Sequence, residues 1–391
     1  MTTSRRTFLA LAGTTLAAAG LAACAPGATA PTAGPTSADP TDGALDGLDA
    51  VFAEAFAAAG LAGAAAYVRL GGEEWSQTAG VADLESETPF EAGDYVRIAS
   101  ISKTYTATCI LRMVDDGLLS LDDVLETYVP GIANGDVITL RQMLAMQSGI
   151  YDFTSNAPFL AAFDANPTMA WSIDDTIAII KANPPAFEPG AQVVYCDSNY
   201  ALLGHIAELV DGVPLAEVVT RRAIEPLGLT ETYYPTEAGI RDPHPTPYVP
   251  VVSSDGSVDT SAEPTIVEEV NPAVPGGAGA MISTLSDLSA WGDELASGTL
   301  LTPETQAERL KTTRFEGQTL DFGYGLGITN FNEYLGHDGA IYGFSTVVLT
   351  RPQTGTQIAI VSNESTNFTT PTLTIAIAII NAIDPEQGTG A

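Results

Sequence analysis

The sequence predicts an α+β protein, in which an antiparallel sheet is built from both chain ends and flanked by helices, with an inserted, mainly helical lobe. Strand-like apolar and β-branched runs cluster near the two ends of the chain, at residues 64–79 and 344–362. Between about residues 120 and 270 the pattern is helical and is interrupted repeatedly by proline and glycine. These strand signals lie near opposite ends of the chain. A single sheet built from them has to pair the first segment of the chain with the last.

The first element along the chain is an export signal. Ser4-Arg5-Arg6 precedes an apolar run from Leu9 to Ala23, which is typical of a twin-arginine signal and short for a membrane span. The run ends at Cys24, where a bacterial lipobox has its acylated cysteine; the alternative is a plain signal peptide with an incidental cysteine. We expect a Tat-type lipoprotein signal peptide over residues 1–23 and an anchor cysteine with a disordered tether over residues 24–42. The protein would then be exported, and the lipid at Cys24 alone would hold it to the outer face of the bacterial cytoplasmic membrane.

Apolar periodicity predicts the elements that follow the tether. A helical repeat of apolar side chains predicts a helix over residues 44–59. The runs 64–70 and 75–79 flank two glycines and predict a hairpin. A second helical repeat follows Ser100 and closes at Gly117.

The end of the chain supplies three more elements. Thr302-Pro303 predicts a helix start, with threonine as the N-cap and proline in the first helical position. Two β-branched runs, residues 344–350 and 357–362, surround a Pro-Gln-Thr-Gly turn and predict a second hairpin. An apolar helix over residues 373–383 closes the fold.

Composition excludes some classes of partner. The chain has 48 acidic and 15 basic residues, a net charge of −33, and loss of Arg5 and Arg6 with the leader changes this to −33 − 2 = −35. Such a surface repels nucleic acid and anionic lipid headgroups, so neither is expected as a partner. Spacing typical of metal ligands is absent among the three cysteines and three histidines, and we expect no metal and no cofactor. Cys109 and Cys196 are either a disulfide or two reduced thiols.

The candidate chemistry begins at Ser100, three residues before Lys103, one of only three lysines in the chain. This spacing puts both side chains on one helix face, one turn apart. A serine hydroxyl is a poor nucleophile without a base, and a lysine can serve if its ammonium form is destabilised. At a helix N-terminus, unpaired backbone N–H groups can also face an oxyanion. An ordinary N-cap serine is the alternative.

Further motifs follow in a fixed order and carry a resemblance to a known family. The chain resembles the class C β-lactamase and D-alanyl-D-alanine carboxypeptidase family, which includes penicillin-binding proteins and related esterases. The resemblance runs from about residue 43 to residue 383 and rests on four segments: Val96-Arg97-Ile98-Ala99-Ser100-Ile101-Ser102-Lys103, Ile138–Leu144 with Ser148-Gly149-Ile150, Tyr195-Cys196-Asp197 with the helix after it, and Gly336-His337-Asp338-Gly339. It implies a serine β-lactamase-like hydrolase domain over residues 43–385, a flexible tail at 386–391, a sheet lobe at about 43–98 and 275–385, and a helical lobe at about 99–274.

The resemblance also implies roles for the motif residues. Ser100 is expected to be the acyl-enzyme nucleophile, Lys103 to share its proton, and Tyr195 to shuttle a proton to the leaving group. His337 takes the place of the family's third-motif cation and is expected to tune the acidity of Tyr195. The oxyanion hole is expected from the backbone N–H groups of Ser100 and Ala340.

Two departures from the family pattern bear on the substrate. Asp197 stands where an amide usually donates to the substrate carbonyl, and an ionised aspartate cannot donate. In the third motif, Asp338 and Ala340 flank Gly339, where peptidases of the family place hydroxyls that hold a substrate carboxylate. A carboxylate next to a carboxylate is repulsive. We therefore expect Asp197, Asp338 and Gly339 to contact substrate. The two departures favour ester or neutral amide substrates over substrates with a free carboxylate.

The sequence thus predicts a serine hydrolase that acts through an acyl-enzyme on Ser100. A D-alanyl-D-alanine carboxypeptidase-like, penicillin-binding enzyme of the cell envelope is the first expectation, with peptidoglycan-type peptides as substrates. A β-lactamase or an esterase on the same site is the alternative, with β-lactam or ester substrates. A surface-anchored penicillin-binding sensor with little turnover, or a structural lipoprotein, would be a non-enzyme.

Overall fold

The computed structural model describes residues 45–252, 258–259, 262–316, 322–365 and 370–387. These residues belong to one compact unit that spans residues 43–391. The predicted signal peptide, Cys24, the tether, and residues 388–391 of the predicted tail lie outside the described residues. The lobe boundaries stay predictions.

The described residues form helices and strands that are grouped along the chain, and the main sheet takes its strands from residues 63–89 and 313–362. The helices are α1 (Leu48–Ala59), α2 (Ser102–Asp115), α3 (Leu140–Leu144), α4 (Ala157–Ala165), α5 (Ile173–Ala182), α6 (Asp197–Asp211), α7 (Leu215–Val219), α8 (Leu285–Ser297), α9 (Pro303–Arg309) and α10 (Pro371–Ile383). The strands are β1 (Gly63–Leu70), β2 (Glu73–Asp83), β3 (Thr88–Pro89), β4 (Val96–Arg97), β5 (Tyr248–Val249), β6 (Thr265–Ile266), β7 (Ile282–Ser283), β8 (Thr313–Arg314), β9 (Phe322–Tyr324), β10 (Thr329–Phe331), β11 (Tyr334–Ile341), β12 (Phe344–Arg351) and β13 (Thr356–Ser362).

The main sheet joins the two ends of the chain, as predicted. Its strand order is β3-β2-β1-β13-β12-β11-β10-β9-β8, and the neighbouring strands are antiparallel. The seam lies between β1 and β13, where Ala64 pairs with Ser362 and Arg69 with Gln357. β12 and β13 are almost fully buried because helices cover the sheet, which explains their continuous apolar sequence. The predicted α+β fold is confirmed.

Both predicted hairpins and the predicted terminal helices are present, with shifted boundaries; α10 begins at Pro371, two residues before the predicted start. α1 begins at Leu48, whereas the apolar repeat predicts a start at residue 44. Gly47 precedes it with φ of +89°, a left-handed conformation that interrupts the helix. Thr302 caps α9 by accepting from the Thr305 N–H, as expected for its position before Pro303.

Helix α2 lies in the interior, between the main sheet and the helices of the middle region. Most of its side chains are buried. Tyr105 stacks on Trp291 of α8 with ring centroids 3.6 Å apart, and the Trp291 indole donates to Thr104 Oγ1 at 2.7 Å. Trp291 is a core residue. This packing holds α2 in place, and with it the side chains of its first turn.

Packing decides the state of the two cysteines and explains two glycines near α2. Cys109 and Cys196 are separate, buried thiols, which excludes the disulfide alternative. The glycines of residues 323–327 serve close backbone packing: a Cβ on Gly325 would lie 2.2 Å from the Arg309 carbonyl oxygen, and one on Gly327 would lie 2.1 Å from Ala107 Cβ. None of the helices in the described residues is long and apolar enough to span a membrane.

Candidate active site

Ser100 lies in a single 3₁₀ turn, Ala99–Ile101, that runs directly into α2. Ala99 has φ of +47°, an unfavourable conformation for a residue with a side chain. Ser100 itself is half-exposed, whereas Ala99 and Ile101 on either side are buried. The turn therefore holds the Ser100 hydroxyl at the protein surface between two buried residues. Burial of these neighbours offsets the unfavourable conformational energy of the Ala99 backbone.

The Lys103 ammonium is completely buried and has three acceptors for its three N–H bonds. Its Nζ lies 2.9 Å from Ser100 Oγ, 2.8 Å from the Ala278 carbonyl oxygen and 2.6 Å from Asp197 Oδ1. This is the arrangement of a protonated amine, since each bond of the ammonium is satisfied. Lys103 can therefore accept the Ser100 proton only if it releases one of its own at the same time.

Tyr195 closes the site on the side of the helical region. Lys103 Nζ lies 4.8 Å from the centroid of its ring, and its hydroxyl is in hydrogen-bonding contact with Ser100. Burial and the nearby Asp197 carboxylate raise the pKa of the Tyr195 phenol well above its usual range, and the contact with Ser100 opposes them. Tyr195 is therefore a neutral phenol at rest, suited to donate a proton rather than to accept one.

Asp197 binds Lys103. Its Oδ1 forms the ion pair with Lys103, and its Oδ2 accepts from Thr154 Oγ1 at 3.3 Å. The sequence predicts a substrate-contacting group at this position; in the structure both oxygens already have partners. A buried ammonium needs a counter-charge, which the amide usual at this position would not provide.

A second carboxylate, Asp152, lies next to Asp197 and was missed by the sequence reasoning. Thr154 Oγ1 lies 2.8 Å from Asp152 Oδ2 and so bridges the two carboxyl groups. Burial, followed by the charge of Asp197, raises the pKa of Asp152 to about 7. The only signal in the sequence was its place just after Ser148-Gly149-Ile150, a segment that already carried the resemblance.

His337 lies on β11 with its ring buried, and its contacts differ from the predicted ones. Its Nδ1 donates to the Asp338 carbonyl oxygen at 2.6 Å, and its Nε2 accepts from the Tyr324 hydroxyl at 3.1 Å. Burial lowers the pKa of His337, although the Asp338 carboxylate opposes this, so the ring is neutral at pH 7. The Tyr195 and His337 ring centroids are 6.1 Å apart, and the hydrogen bond from Nε2 goes to Tyr324 rather than to Tyr195.

The end of β11 lies against the Ser100 turn. β10 pairs with β11 only as far as Gly336, which leaves this edge of residues 337–341 open to the turn. A Cβ on Gly339 would lie 2.5 Å from the Ile98 carbonyl oxygen, so only glycine permits this approach. Ala340 is half-exposed beside it, and the Asp338 carboxylate is 28% exposed. The strand thus brings Ala340 close to the Ser100 turn, and the role of its N–H as an oxyanion donor stays a prediction.

Comparison with known proteins agrees with this geometry. The family model described as "Beta-lactamase" matches residues 48–382. The chain belongs to the beta-lactamase family. As in other members, it is a serine hydrolase of the β-lactamase and penicillin-binding protein superfamily. Within the described residues, no group of His, Cys, Asp or Glu could hold a metal ion.

Three relatives illustrate the range of activities in the family. Penicillin-binding protein 4* of Bacillus subtilis (strain 168) is 26% identical over 69% of this chain and 61% of its own length. Esterase EstB of Burkholderia gladioli is 26% identical over 72% of this chain and 78% of its own. A crystal structure of a D-stereospecific amidohydrolase from Streptomyces sp. superposes with a TM-score of 0.75, at 30% identity, over 86% of this chain and 98% of that chain.

Proposed function

We propose that this member of the family hydrolyses amide or ester bonds that have no free carboxylate close to the scissile bond, through an acyl-enzyme on Ser100. The observation that carries the proposal is the contact of Ser100 Oγ with Lys103 Nζ at 2.9 Å, in a site where the Lys103 ammonium already has three acceptors. His337 is neutral, and Asp338 stands where the family usually has a hydroxyl that binds a substrate carboxylate. Among the described residues of the site, a substrate carboxylate would therefore meet the negative charge of Asp338 and no free cation.

The geometry supports a two-step acyl transfer. Ser100 Oγ attacks the carbonyl carbon, and the developing oxyanion faces the backbone N–H groups of Ser100 and Ala340. Tyr195, a neutral phenol next to Ser100, gives a proton to the leaving nitrogen or oxygen. Water then hydrolyses the ester on Ser100 by the reverse route.

The substrate class can be tested with matched pairs of compounds. We expect D-amino acid amides and short-chain esters to be hydrolysed faster than a D-alanyl-D-alanine dipeptide with a free carboxylate, and Ser100→Ala to form no acyl adduct by intact mass. Asp338→Thr restores the usual hydroxyl and should shift the preference towards the dipeptide, whereas Asp338→Asn removes only the charge. Equal rates on both compound classes, unchanged in Asp338→Thr, would contradict the proposed selectivity.

A second candidate is the D-alanyl-D-alanine carboxypeptidase predicted from the sequence, with β-lactams as acylating agents. It is supported by the relative named penicillin-binding protein 4*. Labelled penicillin separates the candidates: rapid labelling of Ser100 would favour the carboxypeptidase, and slow labelling beside rapid ester turnover would favour the first proposal.

We also propose export and attachment through Cys24. The support is the twin-arginine pattern and the apolar run that ends at this cysteine. Membrane fractionation of cells that express the full chain should find the protein with the membrane, and Cys24→Ala should release it or block its processing. Attachment that survives in the Cys24→Ala variant would overturn this assignment.

A further inference from the structure

Among the described residues of the resting site, Lys103, Tyr195 and His337 are each unable to accept directly the proton that Ser100 must lose. Lys103 holds three protons, each donated to an oxygen. Tyr195 is a neutral phenol, since burial raises its pKa. His337 accepts from Tyr324, away from Ser100. The carboxylate of Asp197, 2.6 Å from Lys103 Nζ, is the nearest base.

The hydrogen bonds around Thr154 show a place for one more proton. Its hydroxyl lies 2.8 Å from Asp152 Oδ2 and 3.3 Å from Asp197 Oδ2, and a hydroxyl has one hydrogen to donate. With both carboxyl groups ionised, one of the two contacts lacks a proton. A single added proton on the Oδ2 atom of either aspartate satisfies both contacts.

We propose that Asp152 and Asp197, linked through Thr154, form a carboxyl pair in which Asp197 holds the Ser100 proton while the acyl-enzyme forms. This inference rests on the acyl transfer proposed above. Asp197 is the proton acceptor, and Asp152 is a positioning residue that places a second carboxylate beside it through the Thr154 hydroxyl. Asp152 also keeps the Thr154 hydroxyl oriented.

The proton transfers balance in each step. One Lys103 N–H bond breaks first and an O–H bond forms on Asp197 Oδ1, and the resulting amine turns its lone pair towards Ser100. As Ser100 Oγ bonds to the acyl carbon, its O–H bond breaks and an N–H bond forms on Lys103, which is then an ammonium again. When the tetrahedral intermediate collapses, Tyr195 protonates the leaving group, and the proton on Asp197 returns through Lys103 to Tyr195. Asp197 ends as a carboxylate, and the net change is one proton lost by Ser100 and one gained by the leaving group.

The proposal fixes the direction of the pH dependence. The titratable groups that face Asp152 are Asp197 and Cys196 at the start of α6 and Lys103 on α2. Below about pH 7 Asp152 holds a proton, because its pKa is raised to about 7, and the second negative charge beside Asp197 is then absent. Activity should therefore rise as pH increases through neutrality, with an inflection that belongs to the pair.

The test is the pH–rate profile of ester hydrolysis by the full chain and its variants. Asp152→Asn, which keeps the size and the capping capacity of the side chain, should lose the inflection near neutrality and turn over about tenfold more slowly at its plateau. Thr154→Val should behave in the same way, and Thr154→Ser should restore the wild-type profile. Asp174→Asn, on an exposed face of α5, is the matched control and should leave the profile unchanged.

The outcomes separate this inference from the proposed function. If the wild type forms no acyl adduct on Ser100 and cleaves no ester, the proposed function is wrong and the carboxyl pair is wrong with it. If the wild type is active but Asp152→Asn keeps both the inflection and the plateau rate, the pair alone is overturned. A slower Asp152→Asn enzyme with the wild-type inflection would show a purely structural role and would also overturn it.

Discussion

The two walls of the cleft around Ser100 differ in charge. One wall, formed by Lys103, Asp197 and Asp152, is built from ionisable groups that contact one another through Thr154. The other wall, formed by the neutral His337 ring and the backbone of Gly339 and Ala340, presents uncharged groups, and the Asp338 carboxylate lies next to these groups in the chain. We call these the charged wall and the neutral wall. The difference indicates a division of labour: the charged wall moves protons, and the neutral wall holds the carbonyl oxygen.

The largest expected effect is on the charged wall. Lys103→Met keeps a long apolar stem but removes the ammonium, leaving Ser100 without a proton relay and Asp197 without a counter-charge. We expect kcat/KM for an ester to fall by about 10³-fold or more. Thermal unfolding should show whether the variant folds. A folded Lys103→Met enzyme with near wild-type turnover would show that the charged wall does not move protons.

A substitution in the neutral wall that changes shape but not charge should reduce activity almost as strongly. Gly339→Ala would place a Cβ 2.5 Å from the Ile98 carbonyl oxygen and 2.9 Å from Thr346 Oγ1, which pushes β11 away from the Ser100 turn. We expect a loss of about 10²-fold in kcat, because a shift of this size misaligns the oxyanion donors. The control is Gly93→Ala, where a Cβ would meet nothing within 4 Å. Equal activity of the two variants would remove β11 from the catalytic geometry.

The charged wall should also make the fold's stability depend on pH. The pKa of Asp152 is about 7 in the folded protein and about 3.9 in an unfolded chain, so the folded state binds more protons between these values. Stability is therefore highest below about pH 4 for this group and falls as pH rises to about 7. Asp152→Asn should be more stable than the wild type at pH 8 by about 1–2 kcal/mol, and the gain should vanish near pH 4. Denaturant titrations at both pH values measure this difference.

The smallest effect is expected from Tyr324→Phe. The variant removes the donor to His337 Nε2 and leaves that buried nitrogen unsatisfied, so the free energy of unfolding should fall by about 1–2 kcal/mol. Turnover should change less than tenfold, and the inflection near neutral pH should stay. If the inflection moves instead, the pH dependence of turnover arises from the neutral wall rather than from the charged wall.

Much of the fold was predictable because its signals are local. The hairpins, the terminal helices and the cap at Thr302 each follow from a few neighbouring residues. The start of α1 was predicted too early because an apolar repeat does not show the left-handed backbone of Gly47. The role of His337 was predicted from a motif and stays a prediction; that burial lowers the pKa of its ring is visible only in the fold.

The sequence by itself determined the chain ends that build the sheet and the Ser100–Lys103 spacing, because periodicity and spacing act within one element. The structure alone decided what surrounds Lys103. Asp197 lies 94 positions from Lys103 along the chain, and Asp152 comes from a third segment. Their meeting depends on how α2, α6 and the turn at Thr154 pack. Burial then determines which of these groups carries charge, and burial is a property of the folded chain.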